Sequence, residues 1–299
     1  MINEIIKLKK EKNAVILAHS YQNVEIDEVA DFVGDSLYLS QMAAKTDADI
    51  IVFAGVYFMA ETAKILSPNK KVLLPRLESG CLMANMINLE QLRAFKSKNP
   101  NIPTVCYINS TAEVKSECDI CCTSSNAVKI VKSLGVKEVL FAPDTYLGTW
   151  VQSQLEDVKV ITYPGHCPTH LRITPEDIIN QKKKYPNALV LAHPECHQAV
   201  TALSDYVGST TGIMNFAKQS ENKQFIIATE LGVVERLQRD YKDKEFILVS
   251  PKAVCPNMKW HHLEDILNSL KYDQYEINVD KEIARKAITC IDRMLEVSK

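Results

Sequence analysis

Apolar runs of four to six residues, rich in Val, Ile, Leu and Phe, recur along the chain with polar, helix-patterned stretches between them. Runs this short and this continuous predict strands buried on both faces of a parallel sheet. They also come in a fixed order. VILAHSYQ leads to DFVGDS, TVCYINST to DICCTS and LVLAHPEC to DYVGST, so Ala14–Ser36, Thr104–Ser124 and Ala188–Thr210 share one pattern. Asp31, Asp119 and Asp205 are 88 and 86 residues apart, and so are Ser36, Ser124 and Thr210. The same offsets relate His19, Tyr107 and His193, and then Tyr21, Asn109 and Glu195. A second run in each copy (IIVFAG, VLFAPD, FIIATE) aligns Ala54, Ala142 and Ala228. A third (KVLLP, KVITYP, EFILVSP) is followed by Cys81, Cys167 and Cys255, at spacings of 86 and 88.

Helical patterns fill the gaps, as at Ser36–Lys45, Ala60–Leu66 and Asn126–Leu134. Thr174, Pro175 and Asp177 mark a helix start by N-cap, N1 proline and capping acid. Each copy therefore reads as a helix followed by βαβαβ, with right-handed crossovers. The predicted fold is α/β: three homologous three-layer αβα domains with parallel sheets around a pseudo-threefold axis. The repeats divide the chain at 1–86, 87–172 and 173–271. His262–Leu270 and Tyr275–Val279 look like a fourth unit that stops, with 272–299, including a helix over Lys281–Val297, packing back on the first.

Charge narrows the function classes. The 35 basic and 37 acidic side chains leave a net charge of −2 without a block of one sign, which offers no footprint for nucleic acid or an anionic membrane. The longest apolar stretch, Ile50 to Ala60, has 11 residues, against about 20 for a membrane span. Met1–Asn13 is charged and amphipathic without a signal-peptide core, so a cytoplasmic location is expected. Nine cysteines, an odd number, argue against a disulfide framework.

In open parallel sheets, ligands bind beyond the carboxyl ends of the strands. That rule selects His19, Ser20 and Tyr21, then Tyr107, Ile108 and Asn109, then His193, Pro194 and Glu195. It also selects Ser36, Ser124 and Thr210 at or just before helix starts, where backbone N–H groups favour an anion, and the three cysteines after the third strands. Each type alone has a plainer use: Ser or Thr before a helix is usually a cap, and an isolated cysteine is usually buried filler. Their coincidence at one end of three copies points to a shared cavity. Three thiolates there would suit zinc or an iron–sulfur cluster. A cubane cluster held by three cysteines leaves one iron open as a Lewis acid, which suits dehydration or condensation. Cys118, Cys121 and Cys122 compete with local metal-ligand or redox spacing, but Cys121 and Cys122 fall where the sibling units carry Val33-Gly34 and Val207-Gly208, a buried strand end. His261 and His262 read as a solvated helix start.

Taken together, AHSYQ, DFVGDSL, GVYFMAE, CLMAN, YINSTAE, TSSNA, GHCPTH, HPEC, GSTTG, ATELG and CPNMK, spread from Ala18 to Lys259, resemble quinolinate synthase of the A type. The resemblance implies a 4Fe–4S cluster on Cys81, Cys167 and Cys255. It implies condensation of iminoaspartate (iminosuccinate) with dihydroxyacetone phosphate to quinolinate in NAD biosynthesis, and a functional link to L-aspartate oxidase or aspartate dehydrogenase. Iminoaspartate contacts would be His19, Ser36, Tyr107, Asn109, Ser124, His193, Glu195 and Thr210. Glu195 is the expected general base, with Tyr21 and His193 beside it. Three positions depart from the family pattern: Ser20 and Tyr146, where Asn is usual, and His262, where Thr is. Two other readings remain open: an aconitase-like hydro-lyase on another small polycarboxylate, and a metal or redox sensor built on Cys118–Cys122.

Overall fold

The computed structural model describes the whole chain, Met1 to Lys299. Twelve strands form three four-stranded sheets. The first holds β1 (Ala14–His19), β2 (Phe32–Gly34), β3 (Ile50–Ala54) and β4 (Lys71–Leu73). The second holds β5 (Thr104–Tyr107), β6 (Ile120–Cys122), β7 (Glu138–Ala142) and β8 (Lys159–Thr162). The third holds β9 (Leu189–Ala192), β10 (Tyr206–Val207), β11 (Gln224–Ala228) and β12 (Glu245–Leu248). The orders are β2-β1-β3-β4, β6-β5-β7-β8 and β10-β9-β11-β12, and every pairing is parallel. Helices cover the sheets. The architecture is the α/β one that the repeat predicts.

The unbroken apolar runs follow from burial on both faces. In β1 and β3, Val15, Leu17, Ile51 and Phe53 enter one core, while Ile16, Ala18, Val52 and Ala54 enter another. Alternate side chains point to opposite faces, so both sets must be apolar. The repeated aspartate has a structural use of its own. Asp31 Oδ2 accepts from Ile16 N at 2.8 Å, and Asp119 and Asp205 accept at 2.7 Å from Thr104 N and Val190 N. In each unit the aspartate N–H returns to the carbonyl of that same residue. The carboxylate thereby satisfies a strand N–H beyond the short edge strand's ladder.

Helix Pro175–Lys184 starts on the predicted Thr174 capping box. Helices Ser36–Lys45 and Thr210–Gln219 are capped by Asp35 and Ser209. Ser36 and Thr210 are thus first helical residues whose hydroxyls do not serve as caps. The second unit differs: helix Ala127–Ser133 is preceded by Asn126, so Ser124 lies in the turn before it.

The C-terminal region departs from expectation. Helix Leu263–Tyr272 lies on helix Ile2–Glu11 and β3, with Ile266, Leu267 and Leu270 joining Ile5 and Ile16. It completes the outer layer of the first sheet and opens no fourth unit. Tyr275–Val279 forms no named strand. Leu74 N donates to Tyr275 O and Ile277 N to Val72 O, both at 2.9 Å, so the segment runs antiparallel along the β4 edge and shields its free backbone groups. Helix Lys281–Val297 then crosses to the second unit. Its stripe of Ala287, Cys290, Ile291 and Met294 is buried, and the helix lies against β6 and helix Ala112–Lys115 while also touching helix Tyr57–Leu66 of the first unit. His261 also departs, since it is fully buried with Nε2 3.0 Å from Ser79 Oγ, and only His262 is exposed. No helix is long and apolar enough to cross a membrane.

Candidate active site

The strand ends of all three units open on one cavity. His19, Tyr21 and Ser36 line it from the first unit, Tyr107, Asn109 and Ser124 from the second, and His193, Glu195 and Thr210 from the third. Cys81, Cys167 and Cys255 line the same space. His19 and Tyr107 end β1 and β5, and His193 follows β9 by one residue.

Repetition extends to hydrogen bonding. Tyr21 N donates to His19 Nδ1 at 3.1 Å, and Glu195 N donates to His193 Nδ1 at 3.2 Å. A ring nitrogen that accepts leaves the other as the N–H of the neutral imidazole. Both rings are neutral at pH 7, because burial pushes His19 down to about 4 and His193 to about 3. Nε2–H of His193 lies 3.2 Å from Ser124 Oγ. Two neutral donors therefore present their Nε2–H groups from equivalent strand ends. Asn109 Oδ1 is buried without a partner, leaving an acceptor for a ligand N–H or O–H.

The units diverge around Glu195, which is 3% exposed. Tyr107 Oη donates to its Oε1 at 2.5 Å, and His170 Nδ1 lies 2.7 Å from Oε2. Burial alone would raise this carboxyl; the surrounding imidazoles and these two donors outweigh it and hold the group down at about 2. Among the lowering effects His170 comes first, ahead of His193 and of the hydrogen bonds from His170 and Tyr107. The far side of His170 continues the chain: Nε2 is 2.9 Å from Thr229 Oγ1, which is 3.0 Å from Tyr21 Oη. Thr210 Oγ1 donates to Tyr21 Oη at 3.0 Å. One set of directions satisfies every member: Thr210 to Tyr21, Tyr21 to Thr229, Thr229 to His170, and His170 to an ionised Glu195. Burial, reinforced by Glu195, raises the phenols of Tyr21 and Tyr107 well above their ordinary value, so both are protonated donors at neutral pH.

His170 and Thr229 were not among the candidates from sequence, although both lie within motifs that were, GHCPTH and ATELG. The signal that could have found them is chemical difference between copies: His170 stands three residues after its cysteine where the siblings have Ala84 and Met258, and Thr229 follows the aligned alanine where the siblings have Gly55 and Pro143.

All nine cysteines are free. Cys81, Cys167 and Cys255 are half-buried, and burial raises all three thiols, Cys81 to about 12. Each sulfur also meets the backbone N–H of the residue three positions on, Ala84, His170 or Met258, which favours the thiolate. Three thiols with matching N–H donors in one cavity fit the chemistry of thiolate ligation. A second trio that shares one of these cysteines, Cys167, His170 and Glu195, has ligand atoms within 4.8 Å of one another, but His170 Nδ1 already lies 2.7 Å from Glu195 Oε2 and 3.2 Å from Cys167 Sγ. Cys118, Cys121 and Cys122 lie elsewhere. Cys121 and Cys122 are buried in β6 within the main core, and Cys121 Sγ is 3.2 Å from Cys290 Sγ under the last helix.

The profile of the family described as NadA, Quinolinate synthetase A protein, matches residues 3–296. The chain belongs to the quinolinate synthase family. A relative named Quinolinate synthase from Alkaliphilus metalliredigens is 51% identical over 99% of this chain and 98% of its own. One from Dehalococcoides mccartyi strain CBDB1 is 54% identical over 99% of this chain and 97% of its own. Another, from Pelobacter propionicus, is 52% identical with the same coverage, 99% and 97%. Similarity to quinolinate synthases therefore spans all three units and the cavity between them. Of the family departures, Ser20 is buried, Tyr146 sets its ring 5.3 Å from that of His197, and His262 is exposed with Nδ1 3.0 Å from Glu25 Oε1.

Proposed function

We propose that the cavity condenses iminoaspartate with dihydroxyacetone phosphate to quinolinate, releasing one phosphate and two waters. The observation that carries this reading is the hydrogen-bonded chain Thr210, Tyr21, Thr229, His170, Glu195 and Tyr107, set in the cavity that the three cysteines share. Condensation and ring closure need groups that take up and return protons at several points, and a continuous chain ending in a carboxylate provides them.

Cys81, Cys167 and Cys255 would hold a 4Fe–4S cluster, which when bound supplies a Lewis acid for the loss of hydroxyl groups. The chain's own residues do the rest. The Nε2–H groups of His19 and His193, with the hydroxyls of Ser36 and Ser124, bind the carboxylates of iminoaspartate, and Thr210 joins them by turning its proton from Tyr21 to the ligand. The first turns of helices Ser36–Lys45 and Thr210–Gln219 add the positive end of a dipole. Asn109 Oδ1 accepts from the imine N–H. Glu195 takes a proton from the carbon beside the triose carbonyl. A carboxylate held at about 2 is a weak base; a ligand that draws the Tyr107 hydroxyl onto itself removes one donor from Glu195 and raises its basicity. Tyr21 then acts as proton donor to a departing hydroxyl, and once Glu195 is protonated the chain runs the other way to restore it: Glu195 donates to His170 Nδ1, His170 Nε2–H to Thr229, and Thr229 to Tyr21. Burial of both substrates excludes water that would hydrolyse the imine.

Anaerobically reconstituted protein supplied with iminoaspartate and dihydroxyacetone phosphate is expected to form quinolinate and phosphate in a one-to-one ratio, measured chromatographically. Fully reconstituted protein that forms neither would overturn the reading, and hydration or dehydration of another polycarboxylate in the same preparation would favour a hydro-lyase.

A further inference from the structure

Helix Leu231–Asp240 of the third unit begins two residues after Thr229, and its first turn is pressed against the loop that carries Tyr21. A Cβ at Gly232 would lie 2.6 Å from Ser20 O and 2.9 Å from Tyr21 Cα. Both atoms are backbone, so no side-chain rotation relieves the clash. One turn further on, Arg236 is 1% exposed. Its Nη1 donates to Ser20 O at 2.8 Å and to Gln22 O at 2.9 Å, the two carbonyls that flank Tyr21. Its Nη2 pairs with Asp27 Oδ1, while Arg239 Nη1 independently reaches Asp27 Oδ2 at 2.7 Å. Residues four apart share one helix face, so Gly232 and Arg236 grip the same three-residue segment.

A buried guanidinium is a costly way to fill space unless its donors are used. Here Nη1 reaches both main-chain carbonyls and Nη2 reaches Asp27, while Nε is buried without a partner; the two carbonyl bonds fix backbone position in a way that an apolar side chain would not. The third unit therefore holds Tyr21 at both ends: Thr229 and Thr210 bond its hydroxyl, and Gly232 and Arg236 place its backbone.

We propose that Gly232 and Arg236 are positioning residues that set Tyr21 in register with Thr229. The inference rests on the role given to Tyr21 above, and its test is arranged so that the two can fail separately. Gly232→Ala must move helix Leu231–Asp240 and the Ser20–Tyr21 backbone apart by several tenths of an ångström at least, since real contacts of this kind do not fall under 3.0 Å. Misplacement by about 1 Å at a reacting group costs on the order of 100-fold in rate.

Four reconstituted holoenzymes decide it: Gly232→Ala, Arg236→Lys, Tyr21→Phe, and Tyr21→Phe with Gly232→Ala. Gly232→Ala should retain the parent's iron content and lose about 10- to 100-fold in kcat. In the Tyr21→Phe background the same change should cost little more, because the hydroxyl it misplaces is already gone. Hydrogen exchange of the peptide covering 19–23 should speed up while distant peptides do not change. Arg236→Lys keeps a cation but has one terminal nitrogen in place of two, so the carbonyl pair held by Nη1 and the Asp27 pair held by Nη2 are not both kept; it should follow the same pattern, and it carries the test if Gly232→Ala does not fold. Unchanged kcat with unchanged exchange overturns the proposal, as does an equal loss in both backgrounds. If Tyr21→Phe is itself fully active, the role given to Tyr21 is wrong; faster exchange at 19–23 in Gly232→Ala would then still uphold the placement, and unchanged exchange would overturn it.

Discussion

Replacing Thr229 by valine removes one oxygen from the middle of the chain between Tyr21 and Glu195. The two side chains have nearly the same volume, and Thr229 is fully buried in the structure, so packing is preserved while two hydrogen bonds are lost, at 3.0 Å to Tyr21 Oη and 2.9 Å to His170 Nε2. Tyr21 keeps the bond it accepts from Thr210 but has no acceptor for its own proton, and His170 Nε2 has no donor. Each group left unpaired in a buried site costs about 1–3 kcal/mol, so folding should weaken measurably without collapse. The rate should suffer more. If protons reach Tyr21 only through Thr229 and His170, the loss should match that of a general acid–base group, about 10²–10⁴ in kcat, or about 3–5 kcal/mol of barrier. Anaerobic steady-state assays of quinolinate formation, with iron counted per chain, separate this from cluster loss. Thr229→Ser is the control, because it keeps the hydroxyl and sheds only a methyl group. Valine with kcat within a factor of a few of the parent would refute the relay, and so would serine as impaired as valine.

Cysteine function should divide by place in the repeat. Ala at 81, 167 or 255 should prevent normal cluster assembly, whereas Ala at 118, 121 or 122 should cost about 1 kcal/mol of packing each and leave bound iron unchanged; the reverse pattern in iron and sulfide analysis would reassign the ligands. Glu195→Gln should retain the cluster and bind a substrate analogue but lose roughly 10²–10⁴ in turnover, and near-normal turnover would pass the base role to another group. Stability should fall as pH drops below 6.5. Burial holds His19 and His261 down to about 4 and His193 to about 3, so the unfolded chain takes up these protons first, at about 1.4 kcal/mol per pH unit for each histidine until the folded pKa is reached. His261→Gln should flatten that slope in chemical unfolding measured from pH 6.5 to 4.5, and an unchanged slope would remove His261 from the account.

What was legible in the sequence is what the copies share. Strand type, sheet order and the location of the cavity follow from buried apolar runs in a constant register, because a parallel sheet covered on both sides leaves its strands no other composition. The aspartates at 31, 119 and 205 kept that register for a structural reason, the strand N–H each one satisfies. The C-terminal region was misread because nothing there repeats. An apolar stripe on a helix says that it will be covered but not by what. Here the cover is β6 with helices Ala112–Lys115 and Tyr57–Leu66, which the stripe itself does not name.

The same logic explains why His170 and Thr229, the middle of the acid–base chain, were not legible in the repeat. Three similar units can place three similar groups around an axis, and His19 and His193 show it, each accepting a backbone N–H at Nδ1 and offering Nε2–H inward. A threefold array of donors binds an anion well but moves no proton in a chosen direction. Direction requires that equivalent positions differ in chemistry. Position 170 has an imidazole where the other copies have alanine and methionine, position 229 a hydroxyl where they have glycine and proline, and position 195 a carboxylate where they have tyrosine and asparagine. Those three residues, with Tyr21, are the members that touch in sequence from phenol to carboxylate. Shared residues in this fold thus build the cavity, and the positions at which the copies part company are where proton transfer is to be sought.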